Sequence, residues 1–136
     1  YNLAVIRNVE NLLDKLTANS TNKEMNRVIQ EITVIEMFEE NVKDVARVIY
    51  ERAINDDKFS LFYADLCKAK MNKEIIANNG TSIIHRELTQ LTHGMFYDNS
   101  TSNGTHRNEK KMRRLGNVIF LGNLYEVAFF THKTIH

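Results

Sequence analysis

Apolar positions recur at helical spacing through most of this chain, and short polar stretches separate the blocks. Val5, Ile6, Val9, Leu12, Leu13 and Leu16 share one face, which predicts an amphipathic helix over residues 3–17. Thr21 with Glu24 reads as a capping box, and Met25, Val28, Ile29 and Ile32 carry a second helix from it. Glu36, Glu39 and Glu40 suit the positive end of a third helix, whose face is Val42, Val45, Ala46, Ile49 and Ala53. Asn55-Asp56-Asp57 breaks that helix and caps a fourth, with Phe59, Phe62, Tyr63 and Leu66. Residues 71–80 read as an interruption ending in Asn79-Gly80. A fifth helix is expected from Thr81 or Ser82, burying Ile84, Leu88, Leu91 and Met95.

Residues 98–105 are polar and of low complexity, which predicts a loop. A sixth helix is expected over 106–127, and a seventh begins at Thr131, with Phe130 and Ile135 as a hydrophobic staple. Within the sixth, Arg113 to Leu124 (R-R-L-G-N-V-I-F-L-G-N-L) could by pattern alone be a buried strand. Met112, Leu115, Ile119 and Gly122 nevertheless fall at helical spacing, and a small residue on such a face admits a close neighbour. Helix pairs of about 40 residues joined by short turns mark HEAT-type α-solenoids. On that reading the whole chain, residues 1–136, is one all-α domain of antiparallel helix pairs. Residues 3–35, 39–97 and 106–136 would supply about two and a half repeats.

Composition narrows the function classes. The chain has no proline, few glycines and a net charge of +1, so a basic footprint for nucleic acid must be local. It is found at His106, Arg107, Lys110, Lys111, Arg113 and Arg114, a cluster that would neutralise phosphates without interleaved aromatics to read bases. No apolar run reaches the roughly 18 residues of a membrane span, and no signal-peptide layout opens the chain. Cys67 is alone, consistent with a reducing, cytoplasmic setting. Asn19, Asn79, Asn99 and Asn103 start glycosylation sequons, but sixteen asparagines make chance matches expected. His132 and His136 lie at a spacing that could share a metal, without a third ligand. No phosphate-binding loop, nucleophile elbow, zinc quartet or carboxylate pair is present, so neither enzyme activity nor a cofactor is expected. Beginning at Tyr1, the chain reads as a piece of a longer polypeptide.

Three segments carry a resemblance. Val9 to Thr17 (V-E-N-L-L-D-K-L-T) is similar to V-R-x-I-L-N-K-L-T, and Val48 to Asp65 to a pattern beginning I-F-E-K-A. Arg113 to Leu124 resembles R-R-x-L-G-N-I-x-F. In this order they resemble the middle domain of eukaryotic translation initiation factor 4 gamma, over nearly the whole chain. The resemblance implies the N-terminal half of a HEAT-repeat crescent that grips the C-terminal lobe of a DEAD-box RNA helicase of the initiation factor 4A type and favours its closed arrangement. It implies Leu13, Leu16, Asp56, Asp57 and Lys58 as the helicase contacts. The family's Pro and Phe after K-L-T are missing here, where Ala18 to Asn22 make a longer segment. The alternatives are a sequence-nonspecific RNA-binding module acting on mRNA through Arg107, Lys110, Lys111, Arg113 and Arg114, or a related middle-domain protein of cap binding, decay or poly(A)-binding-protein partnership. Leu13 and Leu16 could equally be core, the Asp56 turn simply solvated, and the basic cluster an ordinary helix start. At the cut end Ile119, Phe120, Leu124, Val127, Phe129, Phe130 and Ile135 would lack a partner, so self-association through residues 115–136 is expected.

Overall fold

The computed structural model describes residues 2–94 and 107–131, with the side chains of Asn2, Arg107 and Asn108 outside that description. Met95, the polar segment 98–105, His106, His132, Ile135 and His136 therefore lie outside the described residues, as does the expected seventh helix after Thr131. The described residues form an all-α fold of six helices: α1 (Asn2–Asp14), α2 (Asn22–Thr33), α3 (Glu39–Asn55), α4 (Ser60–Ala77), α5 (Ile83–Gly94) and α6 (Arg107–Glu126). A single 3-10 turn, Asp57–Phe59, joins α3 to α4.

Local chemistry explains most of the boundaries. Thr21 Oγ1 accepts from the Glu24 amide and Glu24 Oε1 accepts from the Thr21 amide, both at 3.2 Å, so the capping box starts α2 as expected. α3 starts at Phe38, which has no acceptor, and Asn41 compensates by accepting from the Phe38 amide at 3.2 Å. Helix α4 corrects the sequence reading, because it continues through residues 71–77 instead of breaking there. Met71, Lys73, Glu74, Ile75 and Ala77 lack any residue that opposes a helix, and Met71 and Glu74 are buried against neighbours. The interruption is confined to the turn after Ala77, where Asn79 and Gly80 take positive φ. Residues 39–94 hold α3, α4 and α5, the three helices expected there.

In the packing, α1 lies on α3 and α3 on α5, while α2 lies on α4 and α4 on α6. α3 also meets α4 and α6, so these helices surround the core. Val9, Ile32, Val45, Ile49, Leu66, Ile84, Leu88, Phe120 and Leu124 are almost completely enclosed there. Each such side chain contributes about 1.5–3 kcal/mol by leaving water.

The buried face of α6 differs from the one read off the sequence. Gly116, Asn117, Phe120 and Leu124 point inward, whereas Met112 and Leu115 are 72% and 59% exposed and Gly122 is open to solvent. Gly116 is the close-approach residue, since a Cβ there would run into the Ile54 carbonyl of α3. Asn117 explains the chosen face: its Oδ1 accepts from the Tyr50 hydroxyl at 2.7 Å and its Nδ2 donates to the Thr92 carbonyl at 3.0 Å. One buried amide therefore links α3, α5 and α6.

The end of α6 is also more enclosed than expected. Phe129 donates its amide to Leu124 O at 2.8 Å and Ala128 donates to Tyr125 O at 3.0 Å, with Ala128 at φ 62. This is a Schellman ending with alanine where glycine is usual. It turns Phe129 and Phe130 inward against His85, with ring centroids 5.2 Å away in both cases. Phe120, Leu124, Phe129 and Phe130 are thus buried within the chain itself, and the expected open apolar end loses most of its residues. Leu115 and Val118 stay exposed on the outer side of α6.

Candidate functional site

The first candidate site is assembled from the end of α1 and the turn between α3 and α4. Helix α1 stops at Asp14 because the next residues form hydrogen bonds among themselves. Thr17 donates its amide to Ser20 Oγ at 2.8 Å, and Asn19 donates to Thr17 Oγ1 at 3.2 Å. Leu16 sits half-buried at this turn, whereas Leu13 is only 3% exposed. Leu13 is therefore packed in the core, on the face that α1 turns onto α3.

The α3–α4 turn is organised by Asp56, whose Oδ1 accepts from the Lys58 amide at 3.1 Å. Asp57 and Lys58 are left facing solvent, one acid beside one base. Two further contacts hold the turn in place. The Ser60 hydroxyl is fully buried and accepts from Asn123 Nδ2 of α6 at 2.9 Å. Phe59 packs edge-on against Phe62, with centroids 6.3 Å apart.

Arg52 connects this turn to α1. Its Nη1 lies 2.9 Å from Asp14 Oδ1 and its Nη2 lies 3.9 Å from Glu10 Oε2. It also lies close enough to the Tyr63 phenol of α4 for the two to perturb each other's pKa. Burial raises the Tyr63 phenol above its ordinary pKa; Arg52 opposes that rise, while Asp56 and Asp14 add to it. Leu16, Asp56, Asp57 and Lys58 thus share one end of the molecule, with Arg52 as the common strut. Sequence reasoning passed over Arg52, since an arginine in the last turn of a helix looks like an ordinary dipole partner.

The basic cluster occupies the first turns of α6. Arg113 is not a free cation: its Nη1 and Nη2 each lie 2.9 Å from an oxygen of Glu51, a bidentate pair between α6 and α3. This pair holds the Arg113 pKa above its usual value. Lys110 is half-buried, and neither it nor Arg114 is free of partners. Lys111 faces solvent. The Arg107 side chain lies outside the described residues. Part of the cluster's charge is therefore used inside the fold.

Cys67 is fully buried and its thiol is pushed up by that burial, which leaves it unreactive packing. No group of three or more His, Cys, Asp or Glu among the described residues could hold a metal ion. No helix there is long and apolar enough to cross a membrane. Glu74, also missed in the sequence, is 6% exposed and caps α5: its carboxylate accepts from Ser82 Oγ and from the Ile83 and Ile84 amides at 3.0–3.1 Å.

With this geometry in place, comparison with known proteins gives one distant similarity. No protein-family profile matches the chain. No solved structure matches it either. The chain is 23% identical to eukaryotic translation initiation factor 4 gamma 3 of Mus musculus, over 161 aligned positions that cover 97% of this chain. It spans about a tenth of that relative's length, 10%. The chain is thus distantly similar, from end to end, to one region of a translation initiation factor.

Proposed function

We propose that this chain is a scaffold unit of translation initiation that docks a DEAD-box RNA helicase of the initiation factor 4A type and performs no catalysis itself. The observation that carries this reading is how the three resembling segments meet. Asp14 of the first pairs with Arg52 of the second at 2.9 Å. Gly116, Arg113 and Asn123 of the third rest on Ile54, Glu51 and Ser60 of the second. The three segments thus form one packed unit rather than separate parts of the surface. The end-to-end similarity to initiation factor 4 gamma 3 supports the same family.

We read the packing of α1 on α3 on α5, and of α2 on α4 on α6, as a stack of antiparallel HEAT-type pairs. Such stacks present their turns along one edge. The docking edge on this reading is Leu16 with Asp56, Asp57 and Lys58, and Leu13 contributes only by shaping α1. Charged residues at the rim of an interface set encounter rate and register more than raw affinity. The RNA reading is weaker, because Arg113 is committed to Glu51. A pull-down separates the two. Asp57→Lys with Lys58→Glu should abolish capture of a 4A-type helicase and spare RNA binding. Lys111→Glu should do the reverse if RNA is the true partner, and that result would overturn the proposal.

A further inference from the structure

A cavity of about 510 Å³ opens at the other end of the helices from the Asp56 turn, enclosed by the α2–α3 connection, the last turns of α4 and the start of α5. Helix α3 separates the two ends, and its 17 residues at about 1.5 Å per residue put roughly 25 Å between them. Ile35, Met37, Val42 and Ile83 form apolar walls, and Phe38 stands on the rim, 83% exposed. Val34 and Ile76, the chain neighbours of the lining residues Ile35 and Ala77, are 65% and 84% exposed.

Lys70 lines this cavity and is 7% exposed, yet it donates no hydrogen bond among the described residues. No side-chain nitrogen or oxygen among those residues is both sealed off and unpartnered. The Lys70 ammonium must therefore keep its open side toward the cavity. Burial holds its pKa below the usual lysine range, Glu74 opposes that shift and Lys73 adds to it. Glu74 is already bonded to the start of α5, and Lys73 Nζ donates to the Thr33 carbonyl at 3.0 Å.

A charge that is largely out of water and unbonded is costly, and a carboxylate brought to it would restore the missing partner with a charge-assisted hydrogen bond. The volume is within the range of ligand clefts, roughly 300–1,000 Å³, and admits a large side chain. Glu36 and Glu74 also line the space, so the dense charge of a nucleic-acid backbone is disfavoured where a single carboxylate is not. With Phe38, Val34 and Ile76 exposed at or beside lining residues in the chain, the apolar side chains suit an extended peptide. We propose that this cavity binds a short protein segment carrying a large apolar side chain next to a carboxylate, with the apolar group between Phe38 and Ile83 and the carboxylate on Lys70.

Fluorescence anisotropy with labelled, end-blocked peptides tests this on the full 136-residue chain. A peptide with adjacent Phe and Asp should bind saturably, and its Phe–Asn and Ala–Asp counterparts about tenfold more weakly. Lys70→Met keeps the apolar stem and should weaken the Phe–Asp peptide about tenfold, with circular dichroism confirming an intact fold. Phe38→Ala alters an exposed side chain, so it gives a second reading free of folding effects and should also weaken binding. Absence of saturable binding, equal binding of the Phe–Asn peptide, displacement by poly(U) RNA, or indifference to both substitutions would each overturn the proposal.

Discussion

The carbonyl oxygen of Ile54 occupies the place that a Cβ on Gly116 would need, so α6 can lie against α3 only with glycine at that position. Gly116→Ala should therefore destabilise the chain by about 2–3 kcal/mol, the upper part of the range for overpacking against an unyielding neighbour. Gly122 sits in the same helix with nothing within 4 Å of its virtual Cβ, and Gly122→Ala should stabilise by about 0.5–1 kcal/mol. Urea unfolding of the two variants checks both signs at once.

Tyr50 and Asn117 act as one unit. Asn117→Ala removes the acceptor of the Tyr50 hydroxyl bond and the donor to the Thr92 carbonyl, and should cost about 2–4 kcal/mol from two lost buried hydrogen bonds and lost volume. Tyr50→Phe should cost about 1 kcal/mol alone and markedly less when Asn117 is already alanine. A double-mutant cycle by chemical denaturation measures that coupling; additive costs would show the two residues to be independent.

Alkaline pH reads the same phenol. Burial pushes Tyr50 from 10.0 up to about 12, with Arg113 opposing and Glu51 assisting. The unfolded state then loses its proton first. The stability contributed is complete below pH 10 and disappears as pH rises through the folded value near 12. The loss should be about 2–3 kcal/mol for this group. Unfolding free energies measured across that window should fall less steeply in Tyr50→Phe than in the parent chain.

Ala128 ends α6 in a left-handed conformation that a Cβ disfavours. Lys68 Nζ donates to its carbonyl at 3.0 Å, which helps hold the turn. Ala128→Gly should raise stability by about 1 kcal/mol while leaving Phe129 and Phe130 buried. A rise in melting temperature with unchanged near-ultraviolet circular dichroism would confirm it.

The elements that depend on short-range patterns were legible in the sequence. The Thr21–Glu24 box, the Val9 face of α1 and the Val45 face of α3 all needed only neighbours a turn away. The face of α6 was not, because apolar residues occur on every side of Leu115 to Leu124, and periodicity cannot choose among them. Asn117 made the choice through partners on two other helices. Glu74 was hidden for a related reason: its targets, Ser82 and the first amides of α5, become its neighbours only once the Asn79–Gly80 turn folds back. The candidate docking end was legible as a turn at Asn55–Asp57, but not the Arg52 strut or the inward position of Leu13.

The edge formed by Leu16, Asp56, Asp57 and Lys58 is the proposed docking site for a 4A-type helicase. Asp57→Lys tests it most directly, since Asp57 faces solvent and a solvated turn should tolerate the change within about 0.5 kcal/mol of stability. Equilibrium titration of the helicase against the parent chain and this variant should give saturable binding for the first and at least about tenfold weaker binding for the second, at equal melting temperature. Equal affinity of the two chains, or no binding by the parent chain, would rule out helicase docking at this edge.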